Sequence, residues 1–270
     1  MATRARPATD WLWWVALGLL IAPGLSLVLR LAGGGLGARP LHSALRATGD
    51  WALWLVLLTL AVSPARVLLR WPWVVGLRRA LGVAAAAYAT LHLLLYCQDE
   101  NWHLGFIASE ITLRFYLSIG TLALLMLLAL AATSTNASQR RLGRNWKRLH
   151  ALVFPALLLS LWHDFLEAKA DISAVVLLAG FSCWLLAWRL LPAGRRERTV
   201  VLVTLGVLSG LAAALSEAGW YWIAVGVPPQ RVLATDLSFA FGPRPAAVVA
   251  LAGLAAALAA AVRRLLRRPG

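Results

Sequence analysis

Three of the five histidines, His92, His150 and His163, fall inside long apolar runs, where an ionisable side chain is expensive and therefore informative. A neutral imidazole is a common iron ligand, and a haem held between two helices takes one imidazole from each side. Depth selects the pair. On a helix starting at Arg79, His92 lies ~20 Å along the axis. On a helix starting near Lys147 and Arg148, His163 lies ~20 Å beyond His150, at a depth similar to that of His92. Both helices read in the same direction, so His92 and His163 can face each other as a bis-histidine haem pair.

His150 sits at the other end of its run. Its opposite number on the third run, fourteen residues before His92, is Arg78, within roughly 40° of the same helix face. Arginine is permanently charged and a poor iron ligand. Arg78, with Arg148, therefore reads as a partner for a haem propionate or a flavin phosphate, and His150 as the ligand or support of a second redox centre. On an ideal helix His150 and His163 stand about 140° apart around the axis. Pro155 lies between them and should kink or unwind the helix. A lone intramembrane histidine is more often a packing residue than a ligand; two matched in depth shift the balance towards haem. His42 and His103 fall in expected outer loops and read as solvated.

The elements that must position these side chains are membrane helices. The 270-residue chain is 61% hydrophobic, with a mean hydropathy of +0.74, against about 45–50% apolar residues in a soluble domain. Its apolar runs are continuous and rich in Leu and Ala, unlike the alternation over about 10 residues of a barrel strand. Eight spans are expected, at 11–29, 51–69, 79–97, 114–132, 149–166, 172–191, 199–216 and 245–262. The fold class is all-α: a polytopic membrane helix bundle. The first run carries Trp11, Trp13 and Trp14 and reads as a retained helix, not a cleaved leader. Tryptophans at span ends, among them Trp51, Trp102, Trp146 and Trp220, read as an interfacial belt.

A formal charge of +15 would suggest nucleic acid in a soluble protein. Its distribution points to topology instead. Alternating the loops puts 19 of 26 basic residues on one side, including Arg4, Arg6, Arg66, Arg70 and the cluster Arg140, Arg141, Arg144, Lys147 and Arg148. Nine of eleven acids fall on the other side. By the positive-inside rule both termini are cytoplasmic, and no nucleic-acid partner is implied. The basic cluster suits anionic membrane lipid, or more sharply a flavin phosphate or a docking reductase. Asn136-Ala-Ser138 matches a glycosylation sequon but falls on the cytoplasmic side.

No GxGxxG, GxxxxGK[ST] or HExxH motif occurs, so nicotinamide binding and ATP hydrolysis in the usual manner are not expected. No convincing internal repeat is visible, which weighs against an inverted-repeat transporter. The segment 189–198, with Pro192 and Gly194, divides a six-helix region at 8–192 from two further helices at 199–266. Glu217 and Asp236 in that extension read as packing or topology residues ahead of partner contacts.

Several stretches together resemble the MsrQ family: Thr48-Gly49-Asp50-Trp51-Ala52-Leu53, Leu77-Arg78-Arg79-Ala80-Leu81-Gly82, Tyr88-Ala89-Thr90-Leu91-His92 and Thr133-Ser134-Thr135-Asn136. The most specific runs from Arg141-Leu142-Gly143-Arg144 through Asn145-Trp146-Lys147-Arg148-Leu149-His150. MsrQ is the haem-binding membrane subunit of the bacterial methionine sulfoxide reductase system MsrPQ, in the ferric-reductase-like transmembrane superfamily. The resemblance covers roughly 8–192 and carries the family's histidines onto His92, His150 and His163. It implies a b-type cytochrome of the bacterial inner membrane, with one or two haem b groups and FMN as a further candidate cofactor. Electrons would pass from a cytoplasmic flavin reductase to a periplasmic molybdopterin-containing subunit like MsrP, the partner that performs the methionine chemistry. The two added C-terminal helices depart from the family pattern. Two rivals stay open: ferric-reductase-like transfer to another acceptor, and a haem-free transporter or structural membrane protein.

Overall fold

The computed structural model describes residues 10–168, 171–236, 238 and 242–266. The basic residues Arg4, Arg6, Arg267 and Arg268 and the side chains of Trp11 and Trp13 lie outside them. The described secondary structure is helical throughout: α1 (Asp10–Ala32), α2 (Pro40–Leu68), α3 (Val74–Asp99), α4 (Leu104–Leu113), α5 (Phe115–Ala132), α6 (Asn136–Leu142), α7 (Arg144–His150), α8 (Val153–Glu167), α9 (Ser173–Leu190), α10 (Thr199–Val225), α11 (Pro229–Asp236) and α12 (Pro245–Leu265). Eight helices among the described residues are long and apolar enough to cross a membrane, α7 and α8 together forming one span. Each expected span has its helix. The short α4, α6 and α11 stand where the sequence suggests only loops, and His42 lies in the first turn of α2, not in a loop.

Inside lipid every backbone amide must be satisfied within the segment, which selects helices. Hydroxyls in these helices return to their own backbone: Thr59, Thr90 and Ser182 each donate to the carbonyl four residues earlier at 2.8 Å. The turn between α5 and α7 is made by capping residues. Thr135 accepts from the Ser138 amide at 3.0 Å to start α6, and Gly143, at φ 51°, turns α6 into α7.

The helices form two compact units, one of Met1–Val62 with Trp73–His163, the other of Ser63–Pro72 with Asp164–Gly270. In the first, α3 packs against α1 and α5. Tyr88 of α3 is inserted into the hydrogen-bond ladder of α1 beside Pro23: its hydroxyl accepts from the Gly24 amide at 2.8 Å and donates to the Leu20 carbonyl at 2.9 Å.

In the second unit, α9, the sixth span, packs with α10 and α12. Small residues bring these helices together. A Cβ on Gly253 of α12 would lie 2.4 Å from the Gly206 Cα of α10, and one on Gly210 would lie 2.8 Å from the Ala246 carbonyl. Backbone cannot give way as a side chain can. Gly253→Leu is therefore expected to cost more than the roughly 1–3 kcal/mol of ordinary overpacking. A thermal melt monitored by size exclusion measures the loss. Arg263 fastens the other end of α12, donating to the Val67 carbonyl at 2.9 Å and pairing with Glu197.

Candidate functional site

The structure brings His92 and His163 together: their ring centroids are 6.2 Å apart and their planes nearly perpendicular, at 88°. His92 comes from α3 and His163 from α8, both in the first unit. His92 Nδ1 lies 2.8 Å from the Leu45 carbonyl of α2, and His163 Nδ1 lies 2.8 Å from the Tyr116 carbonyl of α5. A carbonyl only accepts, so in each ring Nδ1 carries the proton and donates it. The lone pair of each neutral imidazole is then on Nε2, the arrangement a metal-binding histidine needs.

Glycine makes room for each ring. A Cβ on Gly49 would lie 3.0 Å from His92 Nδ1, and one on Gly120 would lie 2.7 Å from His163 Nδ1 and 2.9 Å from its Cε1. Gly49 follows Leu45 by one helical turn, and Gly120 follows Tyr116 in the same way. Each imidazole therefore lies over a glycine and bonds the carbonyl one turn before it. Leu45 and His92 are 47 residues apart in sequence, as are Tyr116 and His163. The sequence reading found no internal repeat, but the structure contains a local one: α2 with α3, then α5 with α8. It escapes detection because the repeated parts are a backbone carbonyl and a missing side chain. Around it most residues differ, the shared ones including Gly49, Ala52 and Leu53 against Gly120, Ala123 and Leu124.

These residues fit a bis-imidazole metal group. Metal–nitrogen bonds of about 2.0 Å on opposite sides of one ion set ring centroids roughly 6 Å apart. The ring of Tyr116 lies along His163 at 6.0 Å and 23°, and Phe115 meets Trp162 edge to face at 5.2 Å.

His150 makes its contacts elsewhere. It ends α7, where Trp146 stacks on it with centroids 3.9 Å apart, and its Nε2 lies 3.2 Å from Thr133 Oγ1. Trp146 Nε1 donates to the Thr133 carbonyl at 3.0 Å, so Thr133, Trp146 and His150 form one closed group. Trp146 is thus more than a member of the interfacial belt. Pro155 does break the helix: α7 stops at His150, α8 starts at Val153, and Phe154 bonds back only three residues, to Ala151. Arg78 on α3 and Arg148 on α7 are both exposed. Arg79 reaches α6, donating to Asn136 Oδ1 at 3.2 Å.

Comparison with known proteins adds an independent line. The family model described as ferric reductase like transmembrane component matches residues 48–161. The protein-methionine-sulfoxide reductase heme-binding subunit MsrQ of Rhodospirillum rubrum is 44% identical over 172 residues, which cover 63% of this chain and 83% of that protein. The chain belongs to the MsrQ family. The protein of the same description from Deinococcus radiodurans is 42% identical over 176 residues, 64% of this chain and 87% of that one. That from Xanthomonas axonopodis pv. citri is 44% identical over 155 residues, 57% and 71% of the two chains. No solved structure matches. The ferric-reductase match includes Gly49, His92, Gly120, Thr133, Trp146 and His150 and stops two residues before His163. More than a third of the chain lies outside each MsrQ alignment.

Proposed function

We propose that this chain is a haem-carrying electron-transfer subunit of the MsrQ kind in the bacterial inner membrane, with both termini cytoplasmic. One observation carries the reading: two imidazoles 6.2 Å apart, each with Nδ1 on a carbonyl and a glycine beneath the ring. His92 and His163 would hold a haem b through their Nε2 atoms. Bound there, the haem supplies one-electron chemistry. A haem held by both imidazoles would suit electron transfer and not substrate binding at the metal. The carbonyls of Leu45 and Tyr116 fix the ring planes and raise the basicity of both imidazoles, which favours the oxidised metal.

Thr133, Trp146 and His150 form the entry side. Two stacked aromatic rings at 3.9 Å offer a relay or a ligand for a second redox centre. The basic residues of α6 and α7, Arg148 among them, together with the exposed Arg78 of α3, suit the phosphate of FMN or an acidic face on a cytoplasmic flavin reductase. The acceptor is a periplasmic molybdopterin-containing reductase of the MsrP kind, which performs the chemistry on methionine sulfoxide. The names of the relatives and the charge asymmetry across the spans support this direction.

The test is rapid mixing of the flavin-reduced protein with the molybdenum subunit and methionine sulfoxide. Reoxidation that requires both components is expected. Reoxidation by ferric chelates alone, with none by that pair, would move the assignment to a ferric reductase. In the same assay His150→Ala is expected to slow reduction by flavin about tenfold or more, the scale at which supporting residues act, while the spectrum of the His92/His163 pair persists.

A further inference from the structure

The second unit contains a group of charges that electron transfer does not use. Glu217, in α10, has a side chain with 0% exposure, and Asp236, at the end of α11, has one with 5%. Arg244, at the N-terminus of α12, joins them: its Nη2 pairs with Glu217 Oε1, and its Nε lies 3.6 Å from Asp236 Oδ1. Asp171, ahead of α9, and Tyr221, one turn beyond Glu217, are within electrostatic reach of Glu217. These groups come from α10, α11, the start of α12 and the segment ahead of α9, and they include one cation and three carboxylates.

Charge and hydrogen bonding are both out of balance. A buried carboxylate costs several kcal/mol unless paired and fully hydrogen-bonded, and one guanidinium neutralises only one of them. Among the described residues, Glu217 Oε2 and both oxygens of Asp236 have no hydrogen-bond partner. Two ionised carboxylates present only acceptors, so they cannot satisfy each other. A single added proton changes that. It turns one carboxyl into a donor, and it lowers the charge of the Glu217–Asp236–Arg244 group from −1 to zero. Burial already pushes the Asp236 carboxyl above the usual carboxylate range, with Arg244 opposing the shift.

We propose that Glu217 and Asp236, bridged by Arg244, form a proton-binding site that holds one proton at neutral pH. Loading transfers a proton from hydronium to a carboxylate oxygen and leaves water; no other bond forms or breaks. Gly226, at φ 76°, ends α10 beyond Glu217, and Pro228 and Pro229 begin the turn to α11. The site thus lies at the end of α10 opposite the basic segment 189–198, on the side that collects most of the acids. It is a property of the C-terminal helices and does not depend on haem binding in the first unit.

The test is infrared spectroscopy of the full-length, detergent-purified protein at neutral pH, reading the carbonyl stretch of a neutral carboxylic acid, which a carboxylate lacks. The native protein minus Glu217→Gln, and the native protein minus Asp236→Asn, are expected to show the same single neutral-acid band. In either variant the remaining carboxylate is balanced by Arg244 and ionises, so each substitution removes the one shared proton. Asp171→Asn keeps the band, and Arg244→Gln strengthens it, because two carboxyls without their cation both take protons. Difference spectra with no neutral-acid band overturn the proposal. So does loss of the band on adding sodium at fixed pH, which would make this a cation site. Should the glutamine variant not fold, the unaltered protein decides: isotope labelling of its glutamate and aspartate carboxyls that reveals no neutral acid at neutral pH overturns the proposal equally.

Discussion

His92→Ala and His163→Ala are each expected to abolish the bis-imidazole haem spectrum while leaving a folded membrane protein. The two rings come from different helices, α3 and α8, and neither helix has another histidine beside the pair to take over. Losing a hydrogen bond behind a ligand typically costs roughly 10–100-fold in affinity, and losing the ligand itself should cost more. Haem content after purification, by pyridine haemochrome, should therefore fall equally in both variants. His150→Ala should retain the spectrum of this pair. A packing role for the histidines predicts a different pattern: reduced thermal stability in each variant, with no effect specific to colour.

Gly120→Ala is expected to do nearly as much damage without touching a ligand. Its methyl carbon would lie 2.7 Å from His163 Nδ1 and 2.9 Å from Cε1, closer than real Cβ contacts come, and 3.0 Å from Cγ. The ring must move, and in moving it breaks its 2.8 Å bond to the Tyr116 carbonyl. Haem affinity should drop by about 10–100-fold, the range for losing such a partner. Yet alanine is a better helix former than glycine by about 1 kcal/mol. The apoprotein should therefore keep or raise its melting temperature while the haem is lost, which separates a site effect from a folding effect. Gly49→Ala, whose methyl would meet His92 at 3.0 and 3.2 Å, should show the same pattern more weakly.

Much of this arrangement is legible in the sequence, for physical reasons. A continuous apolar run long enough to cross a bilayer has few alternatives to helix, so all eight spans fall on α1, α2, α3, α5, α7–α8, α9, α10 and α12, although α2 begins at Pro40, well before the expected 51, and α10 runs on to Val225, past the expected 216. The rise per residue is fixed, so depth can be counted, and counting places His92 and His163 at one level. The break after His150 follows from Pro155. What stays hidden depends on contacts between distant segments. Gly49 and Gly120 look like ordinary helix glycines until each is seen under an imidazole 43 residues later in the chain. Trp146 fits the interfacial belt so well that its stacking on His150 has no separate signal. The helices α4, α6 and α11 are short, which leaves too few residues for a periodic pattern. Glu217, Asp236 and Arg244 belong to three different elements, and only folding makes a group of them.

The difference spectrum of the unaltered protein, dithionite-reduced minus air-oxidised, tests the central claim most directly. The full chain, purified in detergent from haem-sufficient cells, is expected to show the sharp bands of a low-spin, six-coordinate b-type haem. A well-folded, haem-supplemented chain that remains colourless would contradict the account. His92 and His163 would then be two packed imidazoles, each held by a carbonyl, with no metal between them.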